Sequence, residues 1–527
     1  MIDAGRRFML TFALVSLQSA EALAQSPATV SPSAPTTQLP TLGSGGEMNT
    51  GAERRLGERI AREIYRDPDY IDDPLLVDYV QGIWQPLLAA ARARGDLSEE
   101  LEQRFAWEVM LGRDRSINAF ALPGGYLGLH LGLVGAVSSR DELASVLAHE
   151  LSHVTQRHIS RIMTKQSQQA PWLLGAMILG VLAASKSPDA ANAVLVGSQA
   201  VAAQTQLNFS RDMEREADRV GYGILVQAGF DPQGFVTMFD KLGQSARLND
   251  NGAFPYLRSH PLTTERLADM QSRQPPGVRA PDAAAQAASH AMLSARARVL
   301  SNSSVDALRA WLGQVPKSAG DTSPVSGQAA ALYGAALAAH KLRDTAMAMG
   351  YAQRLGRLPI TEPAAARLVT LLQAELILAQ GDATGAVALL TGKGMGSLPT
   401  DPSTSTGMDR PQVMLLAQAW TAAGQPALAT ERLQEWVLTH PRDALAWTLM
   451  SGAYAAQGKA LRSVRASAEA KVAVLDYEAA LDRFNAAQAL VRGSGARASD
   501  ADHIEASIID TRRREVQSLL KEQALER

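Results

Sequence analysis

The 527-residue chain contains no cysteine, which excludes a disulfide framework, a thiolate nucleophile and any metal site built on cysteine. Aromatic residues make up only 5% of the chain, and alanine is abundant, as is typical of helical proteins. Neither sign of charge dominates, since the formal net charge is −2, so a surface for binding nucleic acid is not expected. Any metal ion in this protein must therefore be held by histidines and carboxylates.

Apolar runs long enough to span a membrane are also missing. The first short run, Phe8–Leu17, follows two arginines and precedes a small-residue segment, Ala22–Ala24. This pattern predicts a signal peptide at residues 1–24, cleavage before Gln25 and residence in a bacterial periplasm. The alternative is a membrane anchor, for which the run is short against the ~20 residues that a span needs.

A second apolar run, Trp172–Ala184, is also shorter than a membrane span. We interpret it as a buried or lid-forming helix. The alternative is an interfacial segment that contacts a membrane or an unfolded substrate. Residues 25–46 are rich in Ser, Pro, Thr and Gly, a composition that cannot form a packed core and that predicts a flexible linker.

The sequence HELSH at residues 149–153 carries the main chemical signal. On a helix, the imidazoles of His149 and His153 project from one face and can share a zinc ion. Glu150 lies beside them and can take a proton from water that the ion activates. Upstream, Ser139 and Glu142 have the spacing of a capping box, which predicts where this helix begins.

A catalytic zinc site needs a third protein ligand and an open position. Residues 210–221 predict a helix with one face formed by Glu214, Ala217, Asp218 and Gly221. The small residues let this helix approach the HELSH helix closely enough for the Glu214 carboxylate to reach the metal. Asp218 is placed to accept the free N–H of a ligand histidine. Three charged residues lie off this face and are expected in solvent, namely Arg215, Glu216 and Arg219. The alternative for the whole segment is an ordinary charged surface helix.

The segments HELSHV and EREADRVGY strongly resemble the motifs of the M48 metallopeptidases. The resemblance covers about residues 50–275, and we expect residues 47–275 to form the peptidase domain. It implies one zinc ion per chain, with Glu150 as catalytic base and Asp218 as an orienting or proton-donating group. The ligands that it implies are His149, His153 and Glu214.

The resemblance further implies an edge strand and turn beside the active site, at residues 118–125. An extended substrate would add to Asn118, Ala119 and Phe120 through backbone hydrogen bonds. The alternative is a purely structural hairpin. The apolar pattern itself predicts a strand at residues 105–111 and a hairpin at residues 117–134, with its turn at Pro123-Gly124-Gly125.

The segment RSHP at residues 258–261 resembles a short downstream motif of the same family. Three roles remain open for His260: a donor to the oxyanion, a fourth zinc ligand that holds the enzyme off, or a structural residue. Arg258 and Arg266 are other candidates for the oxyanion role. The remaining histidines are expected to be structural or surface groups: His130, His158, His290, His340, His440 and His503.

A repeat follows at residues 325–500. Trp420 and Tyr454 are 34 residues apart, and so are Gly424 and Gly458. This is the period of a tetratricopeptide repeat, whose helix pairs stack into a solenoid. The alternative is an unrelated alanine-rich bundle. The flanking segments are expected to be connecting helices or linker at residues 276–324 and a C-terminal helix at residues 501–527.

These patterns predict a mostly α (α+β) protein, with a gluzincin-type metallopeptidase domain that holds a small sheet and a helical solenoid after it. The layout resembles a periplasmic, repeat-bearing branch of the M48 family, which implies a zinc endopeptidase in quality control of outer-membrane proteins. Its partners would be polypeptide substrates and, through the solenoid, the assembly machinery; peripheral membrane contact stays open. The alternative is a chaperone or adaptor whose protease site is mostly shut.

Overall fold

A computed structural model describes residues 48–166, 210–248, 255–273, 287–315, 323–392, 408–494 and 500–525. Within these ranges the chain forms helices and one three-stranded sheet, so the predicted class, mostly α with a small sheet, is confirmed. The predicted signal peptide, the linker and the apolar run Trp172–Ala184 lie outside the described residues. Among the helices described, none has the length and apolar character needed to cross a membrane.

The sheet consists of β1 (Glu108–Gly112), β2 (Ala119–Leu122) and β3 (Tyr126–His130). β3 lies in the middle, parallel to β1 and antiparallel to β2, so β2 forms one edge of this sheet. β2 and β3 make the predicted hairpin. In its turn, Gly124 and Gly125 have φ angles of 72° and 83°, a left-handed conformation that glycine adopts without steric cost.

Two predicted strand ends are wrong. The strand expected from residue 105 begins only at Glu108, because Phe105 caps the preceding helix and Trp107 has a φ of 52°, outside the extended region. The hairpin arm expected to reach residue 134 ends at His130, and the next residues form a helix. Both stretches are apolar and either buried or half-buried, and periodicity alone does not separate a buried strand from a buried helix.

The helices up to residue 272 surround this sheet and carry the predicted site. They are α1 (Thr50–Arg66), α2 (Pro74–Arg94), α3 (Glu99–Arg104), α4 (Leu131–Ala136), α5 (Arg140–Thr155), α6 (His158–Gln166), α7 (Arg211–Gln227), α8 (Gln233–Leu248), α9 (Pro255–Ser259) and α10 (Thr264–Ser272). α5 begins where the capping pattern predicts: Ser139 accepts from the Glu142 N–H. The Glu142 carboxylate accepts in return from Ser138 rather than from Ser139.

The helices after residue 286 stack in consecutive pairs. They are α11 (Ala287–Ser301), α12 (Val305–Gln314), α13 (Val325–Lys341), α14 (Thr345–Gly356), α15 (Pro363–Ala379), α16 (Ala383–Thr391), α17 (Arg410–Ala422), α18 (Pro426–Thr439), α19 (Ala444–Ala456), α20 (Ala460–Ala473), α21 (Tyr477–Ser494) and α22 (Asp500–Leu525). Gly424 and Gly458, with φ angles of 74° and 73°, end two equivalent helices, and Trp420 and Tyr454 are buried at matching positions. The 34-residue spacing thus corresponds to a repeated helix pair.

Buried ion pairs join the solenoid to the beginning of α2. Arg296, on α11, lies 2.7 Å from Asp73 and 3.0 Å from Glu375 on α15. Arg410, on α17, lies 2.8 Å from Asp72 and donates to Asp443, the residue that caps the start of α19. α11 therefore belongs to the packed body, although residues 276–324 were expected to serve as linker or connecting helices.

Candidate metal centre and active site

α5 and α7 bring the two predicted motifs together. A Cβ atom on Gly221 of α7 would lie 3.0 Å from the Ala148 carbonyl oxygen of α5, a contact so tight that a larger residue would require the two helix backbones to move apart by a few tenths of an ångström. Ala217, one turn earlier on the same face, is fully buried. The small-residue face of α7 therefore packs directly on the backbone of α5, beside His149.

Four side chains converge at this contact, and all are at most 1% exposed. His149 Nε2 is 3.0 Å from His153 Nε2 and 3.5 Å from Glu214 Oε2. His153 Nε2 is 3.5 Å from Glu214 Oε1. His260 completes the group, with Nδ1 3.0 Å from Glu214 Oε1 and 3.3 Å from His149 Nε2. One ligand atom from each residue lies within 4.8 Å of all the others.

These separations fit a tetrahedral zinc ion. Zinc binds histidine nitrogen and carboxylate oxygen at about 2.0–2.1 Å, which places tetrahedral ligand atoms roughly 3.3 Å apart. The observed distances of 3.0 to 3.5 Å bracket that value. Three imidazoles and one carboxylate are also a donor set that zinc prefers. The residues present therefore fit the metal.

Glu150 lies beside this group at the outer edge of β2. Its Oε2 accepts a hydrogen bond of 2.9 Å from the Ala121 N–H. Its Oε1 is buried without a hydrogen-bond partner among the described residues, 3.5 Å from His260 Nε2. Burial raises the pKa of Glu150 above its ordinary value, although His260 and His149 oppose the rise. Glu150 is thus a buried carboxylate with one unused oxygen, as a general base requires.

Asp218 and Arg266 contact the metal-binding side chains His149 and Glu214. Asp218 Oδ1 lies 2.9 Å from His149 Nδ1, on the side of the ring that faces away from the cluster. Arg266 donates to both Asp218 oxygens, at 2.6 and 2.8 Å, and also lies 2.8 Å from Glu214 Oε2. Because its guanidinium is occupied by two carboxylates, Arg266 is not placed to stabilise an oxyanion, the role for which its sequence position made it a candidate. The Arg258 side chain lies outside the described atoms.

Electrostatics within the cluster favour a bound cation. Burial disfavours a charged His149, but the carboxylates of Asp218 and Glu214 outweigh burial and raise its pKa to about 9. Burial likewise disfavours a charged Glu214, yet His260 and His149 hold the pKa of this carboxyl well below its usual range. The carboxylates therefore attract positive charge to these imidazoles. A metal ion supplies that charge when the ligands are deprotonated.

Glu216 differs from its predicted position, whereas His158 is buried, in keeping with the predicted role of a structural or surface histidine. His158 is fully buried, and its Nδ1 is 2.9 Å from Nδ1 of His153. Glu216, expected in solvent, lies 3.2 Å from His158 Nε2 and accepts a 2.8 Å hydrogen bond from Arg161. Burial lowers the pKa of His158 to about 4, so this histidine is neutral near neutral pH. The five-residue interval between His153 and His158 is not a helical spacing, so the sequence carries no direct signal for this contact.

The predicted edge strand corresponds to β2, which lies next to Glu150. Asn118 precedes β2 and is buried, with its carbonyl accepting from the His130 N–H. Ala119 is buried, and the ring of half-buried Phe120 covers Gly128, where a Cβ would lie 2.1 Å from the ring. Tyr256, which sequence reasoning missed, stacks on His260 with ring centroids 4.6 Å apart. Its N–H also lies 3.4 Å from the Ile117 carbonyl, so α9 borders the approach to β2.

Comparisons with known proteins agree with this geometry. Residues 85–274 match Peptidase family M48. The Beta-barrel assembly-enhancing protease of Escherichia coli (strain K12) is 30% identical over 461 residues, which are 86% of this chain and 88% of that protein. A Vibrio cholerae protein is 35% identical over 238 residues, 45% of this chain and 47% of its own length. Because the match covers 86% of this chain, the similarity to the Escherichia coli protein reaches into the repeats.

Among solved structures, the crystal structure of the P58(IPK) tetratricopeptide-repeat domain matches at 14% sequence identity. The match covers 73% of this chain and 88% of that chain. Its TM-score is 0.16, which is too low to carry an argument about the fold.

Proposed function

We propose that this chain, which belongs to peptidase family M48, is a periplasmic endopeptidase that cleaves misfolded or stalled outer-membrane proteins. Family membership makes it a metalloprotease with zinc as its cofactor. The signal-peptide pattern before Gln25 supports the compartment. The name of the Escherichia coli relative, a beta-barrel assembly-enhancing protease, supports the class of client.

The observation that carries the proposal is the position of Glu150 relative to the metal-binding group. Its unused oxygen, Oε1, faces His260, one of the four side chains that converge. Next to Glu150, Ala121 of the edge strand supplies the backbone N–H that holds the second oxygen. A general base, a metal-binding cluster and a strand edge for an extended peptide thus meet at one place.

The chain's own residues account for proton movement and substrate placement. Bound zinc supplies the Lewis acid that polarises the scissile carbonyl and acidifies water. Glu150 Oε1 accepts the proton of the attacking water, and the protonated carboxyl then delivers that proton to the leaving amine. Asp218 orients the His149 ring from behind. The outer edge of β2 aligns an extended polypeptide with little dependence on its side chains.

A second candidate function is a chaperone or adaptor for envelope proteins whose protease site is mostly shut. His260 favours it, because its Nδ1 takes the fourth place in the cluster and its Nε2 lies 3.5 Å from Glu150. With His260 in this position, water and a substrate carbonyl have no access to the base. The solenoid offers a surface for clients in either case.

Cleavage of casein and of an unfolded outer-membrane β-barrel protein tests the proposal. We expect the mature wild-type protein to cleave both and a zinc chelator to stop cleavage. Glu150→Gln should retain one zinc per chain and lose ~10²-fold or more in turnover, because an amide cannot accept the proton. A matched control is Glu63→Gln, since Glu63 is an exposed glutamate on α1.

Two outcomes would reject the proposal. Activity of Glu150→Gln within a few-fold of wild type removes this residue from the mechanism, and cleavage that a chelator does not affect removes the metal. Wild-type protein that prevents aggregation of the unfolded client but cleaves neither substrate establishes the second candidate instead.

A further inference from the structure

The turn between α5 and α6 is sharp and depends on one unusual backbone conformation. Arg157 has a φ of 53°, in the left-handed region that is sterically unfavourable for a residue other than glycine. Its side chain is held by an ion pair of 2.9 Å with Glu53, which is 2% exposed, and by the Met48 carbonyl. These contacts keep the chain folded back directly after the metal-binding helix. As a result, His158 at the start of α6 lies under His153.

The two rings meet through their Nδ1 atoms. His158 Nδ1 is 2.9 Å from His153 Nδ1, and the rings are edge to face at 75° with centroids 4.9 Å apart. His153 Nε2 points the other way, into the cluster with His149 and Glu214. The two nitrogens of His153 therefore have separate partners. One is available to the metal, and the other is in hydrogen-bond distance of a buried histidine.

The direction of these hydrogen bonds follows from the chemistry of neutral imidazole. A ring that binds metal through Nε2 keeps its proton on Nδ1. His153 must then donate, His158 must accept through Nδ1, and the His158 proton must be on Nε2. That nitrogen is 3.2 Å from Glu216 Oε2, which is a suitable acceptor. Arg161 anchors the same oxygen at 2.8 Å, so each link has one donor and one acceptor.

We propose that His158 and Glu216 are positioning residues that orient His153 for zinc through a histidine–histidine–carboxylate chain. The arrangement differs from that of the other ligand, because His149 faces a carboxylate, Asp218, directly. Partners of this kind affect metal affinity by 10- to 100-fold in known sites. The inference rests on zinc binding at this cluster, but it concerns residues that no role in the proposed reaction requires.

Zinc affinity of the metal-free full-length protein, measured by competition with a chelating dye, tests the proposal. His158→Leu fills the space but cannot accept, and we expect its Kd for zinc to rise about 10- to 100-fold. His158→Asn places an amide oxygen near the former Nδ1, and its Kd should stay within several-fold of wild type. If His158 serves only for packing, His158→Leu should lower the melting temperature of the metal-free protein and leave its Kd for zinc unchanged.

Glu216→Ala provides the test if the buried variants fail to fold. Glu216 is 37% exposed, so Glu216→Ala does not open the core. The substitution does remove the carboxylate at the end of the histidine–histidine–carboxylate chain, which accepts from His158. We expect a several-fold weaker Kd, whereas the control Glu265→Ala, which removes an exposed carboxylate paired with Arg215, should leave zinc binding unchanged. Wild-type affinity in both His158→Leu and Glu216→Ala overturns the proposal. Absence of zinc binding by the wild-type protein would instead reject the metal site itself.

Discussion

His260 is held in the cluster by several contacts at once. Its Nδ1 lies 3.0 Å from Glu214, its ring stacks on Tyr256, and its N–H donates to the Tyr256 carbonyl over 2.9 Å. It is 1% exposed. Its Nε2 is also 3.5 Å from Glu150 Oε1, so we propose that this ring has to move before a peptide can be cleaved and that His260 sets the balance between a resting and an open site.

For His260→Ala we expect a higher basal rate of cleavage of an unfolded protein. The side chain that blocks the fourth position is removed, while His149, His153 and Glu214 still hold the metal. Turnover and zinc content, measured on the same preparation, check this expectation. The control is His503→Ala, which removes a histidine on α22, in the C-terminal part of the chain.

The competing role makes the opposite prediction for the same variant. If His260 donates to the oxyanion, turnover on a short peptide should fall by about 10²–10³, the effect of losing one such donor. A short peptide is used because it enters without a wide opening of the site. Unchanged zinc with clearly reduced turnover would decide for this catalytic role.

Among the elements, the contact between α5 and α7 determines whether the ligands meet. α7 carries Glu214 and Asp218, and Gly221 on the same face touches the backbone at Ala148 and His149. Backbone atoms cannot move aside as a flexible side chain can. Any larger residue at position 221 therefore changes the distance between the two helices, and with it the distance between the ligands.

Gly221→Val should weaken both zinc binding and stability. The added side chain forces α7 away from α5, and overpacking of this kind costs about 1–3 kcal/mol. Thermal unfolding and zinc titration of the metal-free protein measure the two effects. At Gly452 on α19, by contrast, a Cβ meets no atom within 4 Å, so Gly452→Ala should stabilise by roughly 0.5–1 kcal/mol and leave zinc binding alone. Unaltered zinc affinity in Gly221→Val would show that the close approach is not needed.

Across the full chain, charged groups join the peptidase residues to the solenoid. Asp78, on α2, lies near Asp409, which pairs with Arg367 of α15 at 2.6 Å. Burial, together with the charge of Asp409, raises the pKa of Asp78 to about 7, although Arg367 and Arg410 oppose the rise. Above that pH the junction contains an additional negative charge on the half-buried Asp78 side chain.

The pH dependence of this junction follows from the direction of the shift. The folded protein retains the Asp78 proton up to pH ~7, whereas an unfolded aspartate loses it near pH 3.9. The contribution of Asp78 to the free energy of unfolding therefore falls as the pH rises from about 4 to 7. Asp78→Asn should be close to wild type at pH 4 and more stable at pH 8, by at least the ~1.4 kcal/mol that one pKa unit represents. Melting temperatures at both pH values check this, with exposed Asp306→Asn as the control; an equal effect at both pH values contradicts it.

Local patterns in the sequence were sufficient for several features. The i, i+4 spacing of His149 and His153 predicts that they share a helix face, and their Nε2 atoms are 3.0 Å apart. The capping pattern predicts the start of α5 at Ser139. Two glycines at a 34-residue interval predict helix ends in the solenoid, and both have positive φ. The first two features depend on residues within a few positions of one another, where spacing along the chain determines spacing in space. The third depends on a regular repeat period.

Contacts between distant segments were decided by tertiary packing. The sequence left three roles open for His260, assigned Arg266 a possible oxyanion role, and placed Glu216 in solvent. In the structure, His260 joins the metal cluster, Arg266 clamps Asp218, and Glu216 reaches His158. These residues come from four separate helices or their connecting turns. Their separations depend on how side chains pack between helices, as at Gly221, and no periodicity along the chain encodes such a distance.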